Sequence, residues 1–179
     1  MLPIIINPGH LKTLVIGDGQ ATSRRLQMLK EAGVKNVKHF KTIPEEKEFD
    51  DVNIIYSSDF DDDISEKIFT IAESKKLLIN TEDKTKFCNF HAPAIIRRGD
   101  LLLTVSTAGK GPRLARRIKA ILENMFGYEW KENLEHLSQV REEYKKQGFK
   151  FETMAVKIDE EIEKKNMFKD ICNRCMKWY

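Results

Sequence analysis

The chain has 179 residues, enough for one substantial core and an appended helical piece but too few for two full-sized catalytic domains. With 31 Lys and Arg against 28 Asp and Glu the net charge is only +3, so no global field argues for nucleic acid and any basic site has to be local. Three cysteines, two of them close to the C-terminus, do not make a disulfide framework, and no apolar run reaches bilayer-spanning length.

The short apolar start Met1–Asn7 lacks a basic leader and is broken by Pro3, Pro8 and Gly9, so a soluble protein of the reducing cytoplasm is expected, with no membrane partner. Thr13-Leu14-Val15-Ile16 then reads as a strand covered on both faces, because it has no polar side. It runs into Gly17-Asp18-Gly19-Gln20-Ala21-Thr22, after which Leu26, Leu29 and Ala32 recur at helical spacing until Gly33, placed to stop the helix in a left-handed cap. A strand around Val37–Phe40 completes a βαβ unit. Lys41–Asp51 is short, acidic and carries Pro44, which leaves a connection with no room for a further helix and strand.

Val52–Tyr56 is the next expected strand, the Asp59–Asp63 cluster supplies a helix cap, and Ile64, Ile68 and Ile71 mark the face of that helix. Leu77–Asn80 returns as a strand, so the alternation predicts a parallel, doubly wound sheet. The rhythm then changes. Ala94–Arg97 and Leu101–Ser106 flank Arg98-Gly99-Asp100, the pattern of a hairpin. A helix with Pro112 in its first turn and Leu114, Ile118, Ile121 and Leu122 on one face is expected to end at Gly127, followed by amphipathic helices over Trp130–Lys146 and Glu152–Asp170. Met154, Ile158 and Ile162 read as packing positions of the last helix. Cys172-x-x-Cys175 has neither a second pair to complete a zinc site nor a βαβ setting for redox chemistry, and the tail that carries it is expected to lack fixed structure.

Gly17 and Gly19 let a backbone turn sharply and approach a pyrophosphate, while the helix opening near Ala21 aims free N–H groups and its positive dipole end at that anion. Thr22 stands at the third small position, so the fingerprint is G-x-G-x-x-T, and a strand-to-helix turn with no ligand is the alternative. The acid that usually holds an adenosine ribose should stand at the tip of the second strand, which here reads Lys38-His39-Phe40-Lys41-Thr42. With no carboxylate in place and lysines suited to a 2′-phosphate, NAD and NADP both stay open.

Asn80-Thr81-Glu82-Asp83, Phe90-His91-Ala92-Pro93-Ala94-Ile95-Ile96-Arg97-Arg98-Gly99-Asp100-Leu101 and, above all, Val105-Ser106-Thr107-Ala108-Gly109-Lys110-Gly111-Pro112-Arg113-Leu114-Ala115-Arg116 resemble the precorrin-2 dehydrogenase module of sirohaem synthases, a family that often also has sirohydrochlorin ferrochelatase activity. The resemblance runs from about Thr13 to about Phe168. It implies a Rossmann-type α/β fold with a parallel sheet, a hairpin-containing dimerisation region and a C-terminal helical part, divided as residues 1–91, 92–127 and 128–179. It also implies a homodimer, an NAD cofactor and a tetrapyrrole substrate. Asp83 falls on the residue proposed to act in proton abstraction, Gly17, Gly19, Gln20 and Ala21 on the cofactor turn, Lys41 and Thr42 on a second nucleotide contact, and Thr107 on a hydroxyl position near the tetrapyrrole. Two departures stand out: the 41–51 connection is much shorter than the family's, and His91 occupies a usually apolar or aromatic position.

Oxidation of precorrin-2 to sirohydrochlorin removes a hydride and a proton from a substrate rich in carboxylates, so it needs an acceptor dinucleotide, a base and cations. Asp83, following a strand, is placed at the carboxyl edge of the sheet where a base is wanted, though a turn or capping aspartate is the alternative. Arg97, Arg98, Lys110, Arg113, Arg116 and Arg117 cluster in sequence, and Arg113, Arg116 and Arg117 share a helix side, suited to acetate and propionate groups. A solvated basic face is the alternative. Nucleic acid is not expected, because no stacking aromatic is interleaved with these cations. His10, His39, His91 and His136 show no ligand spacing, so no structural metal is expected, with His91 singled out for its nearness in sequence to Asp83. The competing functions are a non-catalytic nucleotide-sensing Rossmann module and a chelatase without dehydrogenase activity.

Overall fold

The computed structural model describes residues 1–168. The Cys172/Cys175 pair lies outside them. The chain divides into two compact units, Met1–Ala92 and from Pro93 onward.

In the first unit β1 (Lys12–Ile16), α1 (Gln20–Glu31), β2 (Asn36–Phe40), β3 (Ile54–Ser57), α2 (Asp62–Ser74) and β4 (Leu78–Thr81) alternate as expected and form a four-stranded parallel sheet in the order β2-β1-β3-β4. Leu14 pairs with Lys38 on one side and Ile55 on the other. Side chains alternate across a strand. Leu14, Ile16, Ile55 and Ile79 accordingly pack with Ile68 and Ala72 of α2, whereas Val15, Ile54 and Tyr56 pack with Leu29 of α1 on the opposite face. Both faces of β1 are thus covered, which is why its sequence has no polar side.

The ends of α1 and α2 follow from local chemistry. Gly33, at φ 78°, lets its N–H reach Lys30 O while the Val34 N–H reaches Leu29 O, the paired bonds of a Schellman cap. Within the acidic cluster it is Asp61 that caps α2, accepting from the Ile64 N–H at 2.9 Å. The 41–51 connection holds no further strand, but it contains a 3-10 turn, Glu46–Phe49, whose Phe49 is 0% exposed beneath the α2 face. Burying a side chain of that size contributes roughly 1.5–3 kcal/mol. The connection therefore serves as a plug for that side of the core.

In the second unit β5 (Ala94–Arg98) and β6 (Leu101–Val105) form the expected antiparallel hairpin, with Arg98 opposite Leu101 and Gly99 at φ 60° in the turn. Among the described residues three helices follow, α3 (Pro112–Met125), α4 (Glu129–Lys146) and α5 (Phe151–Lys164). Pro112 sits in the first turn of α3, where its missing N–H costs nothing. The last helix stops six residues short of the Asp170 end that its periodicity suggests. Asn166 adopts φ 48° and the Met167 N–H bonds back to Ile162 O, so a left-handed asparagine ends it. Met154 is buried as expected. The stripe on α3 behaves differently: Leu114, Ile118 and Ile121 are 57%, 36% and 59% exposed.

Candidate active site

The glycine turn lies where β1 delivers the chain to α1. Gly17 is buried at φ 143°, and a Cβ there would stand 2.5 Å from the Ser58 carbonyl oxygen. Its own carbonyl accepts from His39 Nε2 at 2.8 Å, which ties the turn to β2. Gly19 is the N-cap of α1 and has no side chain to give it, so Gln20 and Ala21, the first two residues of the helix, keep N–H groups with no intrahelical acceptor. Those groups and the positive end of α1 are the donors a pyrophosphate needs, so the donor set fits a dinucleotide, while the space of each missing Cβ is taken by protein atoms, Thr22 and Ser58 beside Gly17 and the Asp59 carboxylate beside Gly19.

The third position is more constrained than its sequence suggests. Thr22 is 2% exposed, its Oγ1 donates to Asp59 Oδ2 at 2.8 Å and lies 2.8 Å from Ser58 Oγ, and its N–H reaches Asp59 Oδ2 at 3.3 Å. At the tip of β2, Lys41 is exposed and pairs with Asp18 of the glycine turn at 3.1 Å, with Thr42 exposed beside it. An exposed pair of this kind contributes at most about 1 kcal/mol to stability. Its interest is chemical: a carboxylate does stand by the β2 tip, supplied by the turn and not by the strand.

Asp83 lies two residues beyond β4, at the carboxyl edge of the sheet, exposed and at φ 58°. Aspartate is among the few side chains that accept this left-handed conformation. Its neighbours are clamped. Glu82 accepts from Arg25 Nη2 of α1 at 2.7 Å, the same guanidinium reaches Asn80 Oδ1 at 3.2 Å, and its carbon lies 4.5 Å from the centre of the Tyr56 ring. On the other side Lys84 Nζ donates to Phe60 O at 2.8 Å and pairs with Asp62 of α2 at 2.7 Å. Behind the turn Asn80 Nδ2 donates to Phe90 O at 3.1 Å, and burial pushes the Cys88 thiol up, keeping it a neutral donor whose single S–H has the Thr81 carbonyl at 3.2 Å and the Lys84 carbonyl at 3.3 Å as alternative acceptors. The carboxylate is thus presented from a turn fixed to both helices.

Two of these ties are open to measurement. Because only 15% of Arg25 and 30% of Glu82 side-chain surface is exposed, Arg25→Met and Glu82→Gln should couple by about 1–2 kcal/mol in a urea double-mutant cycle, and additive losses would dismiss the clamp. Hydrogen bonds from Lys84 and Lys86 hold the Asp62 carboxyl at about 2. A depressed carboxylate contributes its tie above the unfolded value near 3.9 and loses it as pH falls through the folded one. A carbon-detected NMR titration should therefore place the Asp62 midpoint at about 2, moving up toward 3.8 in Lys84→Met/Lys86→Met.

In the second unit Thr107 is half-buried, and its Oγ1 accepts from the Gly111 N–H at 3.2 Å in a turn that has Ala108 at φ 54° and Gly109 at φ 78°. Lys110 is exposed in this turn, and Arg113, Arg116 and Arg117 are exposed on the first turns of α3. Arg98 is committed elsewhere: its Nε donates to Phe126 O at 2.7 Å and its Nη2 to Glu123 O at 3.3 Å, satisfying carbonyls at the α3 C-terminus. His91 is half-buried, and His136 is paired with Glu161 at 3.3 Å between α4 and α5.

Sequence reasoning missed Asp18, Arg25, Asp59 and Glu82. Of these only Asp59 carries a local signal, its place just past the end of β3, and from sequence it is one of the Asp59–Asp63 cluster that caps the following helix.

Comparisons with known proteins agree with this architecture. A family model described as sirohaem biosynthesis protein central matches residues 98–125, and one described as putative NAD(P)-binding matches residues 36–94. Siroheme synthase of Nitrosococcus oceani is 28% identical, covering 69% of this chain and 31% of that protein. Siroheme synthase of Salmonella paratyphi A is 29% identical, covering 86% of this chain and 37% of that protein. The chain spans about a third of the length of these relatives. Among solved structures, SirC, precorrin-2 dehydrogenase, superposes with a TM-score of 0.69 at 18% identity, covering 89% of this chain and 88% of that one, and at this identity the likeness is one of fold. The resemblance carried by the Asn80–Asp83 and Val105–Arg116 motifs is therefore met by independent matches to sirohaem-pathway proteins, and the Rossmann-type fold is shared.

Proposed function

We propose that the chain is an NAD-dependent dehydrogenase that converts precorrin-2 to sirohydrochlorin in sirohaem biosynthesis, working as a cytoplasmic homodimer. The observation that carries the reading is that the α1 N-terminus and Asp83 share the carboxyl edge of one parallel sheet, joined through Arg25. When bound there, the nicotinamide supplies a hydride acceptor. Asp83 takes the proton lost in the same oxidation, its carboxylate held out from a turn anchored on both sides. Gly17, Gly19, Gln20 and Ala21 receive the pyrophosphate, and Lys41 and Thr42 border the adenosine ribose.

Thr107 serves the substrate from its turn, and Lys110, Arg113, Arg116 and Arg117 pair with acetate and propionate carboxylates, Arg through two parallel hydrogen bonds. NAD is favoured over NADP because Asp18 puts a carboxylate by the β2 tip and already occupies the Lys41 ammonium. The exposed Leu114, Ile118 and Ile121 on α3 support a dimer, since an apolar stripe of this kind is commonly buried against a partner.

The test is anaerobic incubation with precorrin-2 and either NAD or NADP, followed by the sirohydrochlorin absorbance, with ferrous ion added to sirohydrochlorin in a separate arm. Sirohydrochlorin formed with NAD is the expected result. Iron insertion without oxidation would favour a chelatase, nucleotide binding without either reaction a sensing module, and a preference for NADP would overturn the cofactor choice alone.

A further inference from the structure

The second glycine of a dinucleotide turn omits its Cβ so that a pyrophosphate can come close to the backbone. Here the space beside that glycine belongs to a carboxylate. A Cβ on Gly19 would fall 2.5 Å from Cγ and 2.6 Å from both carboxylate oxygens of Asp59. The same carboxylate takes the Thr22 N–H and hydroxyl, so it caps α1 from the end of β3 in place of the side chain that Gly19 lacks. Thr22 is what makes this capture possible: an alanine or glycine there has no hydroxyl to hold the second bond. Asp59 itself stands at φ 66°, a conformation that aims its side chain back toward the glycine turn at a cost few residues other than Asn and Asp tolerate.

We infer that Asp59 is an internal anion held in the pyrophosphate subsite, so that a dinucleotide enters by displacing it and binds less tightly than the glycine turn alone would allow. The inference rests on the cofactor reading given above. An exposed aspartate is free to turn outward, and the Thr22 N–H and hydroxyl it releases become donors for a phosphate oxygen. The displaced carboxylate still bears like charge beside the diphosphate, and this repulsion sets the affinity.

The full chain and its Asp59→Asn variant are titrated with NAD, ADP and adenosine by calorimetry. Asparagine keeps the size, an acceptor oxygen for Thr22 and tolerance of positive φ, and removes only the charge. NAD and ADP should bind at least about tenfold tighter to the variant, while adenosine, which carries no phosphate, binds both proteins equally. ADP binding unchanged or weakened in the variant would overturn the inference while leaving the cofactor reading intact. An equal shift for all three ligands would overturn it too, by revealing a structural effect. NAD binding to neither protein would remove the cofactor reading and the inference together.

Discussion

Asp83→Asn should lower the turnover of precorrin-2 at least about a hundredfold while leaving NAD affinity and thermal stability close to those of the parent. The expectation combines two facts about one residue. Its side chain is exposed and its anchoring is done by Glu82 and Lys84, so removing the charge strands no buried partner, and surface changes of this sort stay within about 0.5 kcal/mol. Its backbone is left-handed, which asparagine accepts and alanine resists, so the amide variant isolates chemistry from strain. Loss of activity accompanied by loss of stability would point instead to a turn aspartate with a structural duty. NADH appearing at the parent's rate would take Asp83 out of the reaction.

The two glycines of the turn should fail in different ways when each is replaced by alanine. At Gly17 φ is 143° and the new Cβ meets the main-chain carbonyl of Ser58 at 2.5 Å, an obstacle that only a shift of β1 against β3 relieves. Strain and overpacking together cost at least about 3 kcal/mol, a fall of roughly 10 °C or more in melting temperature for a unit of this size. At Gly19 φ is an ordinary −149° and the obstacle is the end of the exposed Asp59 side chain, which can move. Gly19→Ala should therefore melt within a few degrees of the parent yet lose most of its NAD affinity, because the methyl group fills for good the space that a pyrophosphate enters when Asp59 is displaced. Thermal unfolding and NAD titration of the two variants read the contrast, and equal losses of stability would contradict the assignment of the turn.

How far the sequence could be read depended on whether the deciding contacts were local. The βαβ unit, the Gly33 cap and the hairpin rest on chemistry within a few residues, and each stands close to its expected bounds. Phe49 was hidden because a single aromatic among Glu45, Glu46, Lys47, Glu48, Asp50 and Asp51 makes no period, yet it is wholly buried against residues that arrive from β1, β3 and α2. Arg25 looked like one more cation on a helix, and its partner Glu82 lies 57 residues away. The Asp59–Asp63 cluster does supply the cap of α2, through Asp61, but sequence does not show that Asp59 caps a different helix, at Thr22 37 residues earlier, a choice made by its φ angle and the Thr22 hydroxyl. The α3 stripe marks the opposite limit: its helical period is legible in the sequence, but whether an apolar face is buried depends on what lies opposite it, and periodicity carries no information about that.

The proposed function requires that the glycine turn and Asp83 serve a single oxidation. The most direct measurement is an anaerobic single-turnover reaction with precorrin-2 and NAD, recording NADH and sirohydrochlorin absorbance in the same cuvette for the parent and for Asp83→Asn. Both signals should rise together and in equal amounts in the parent, and both should be lost together in the variant. Sirohydrochlorin appearing without NADH, or both appearing undiminished in the variant, would contradict it.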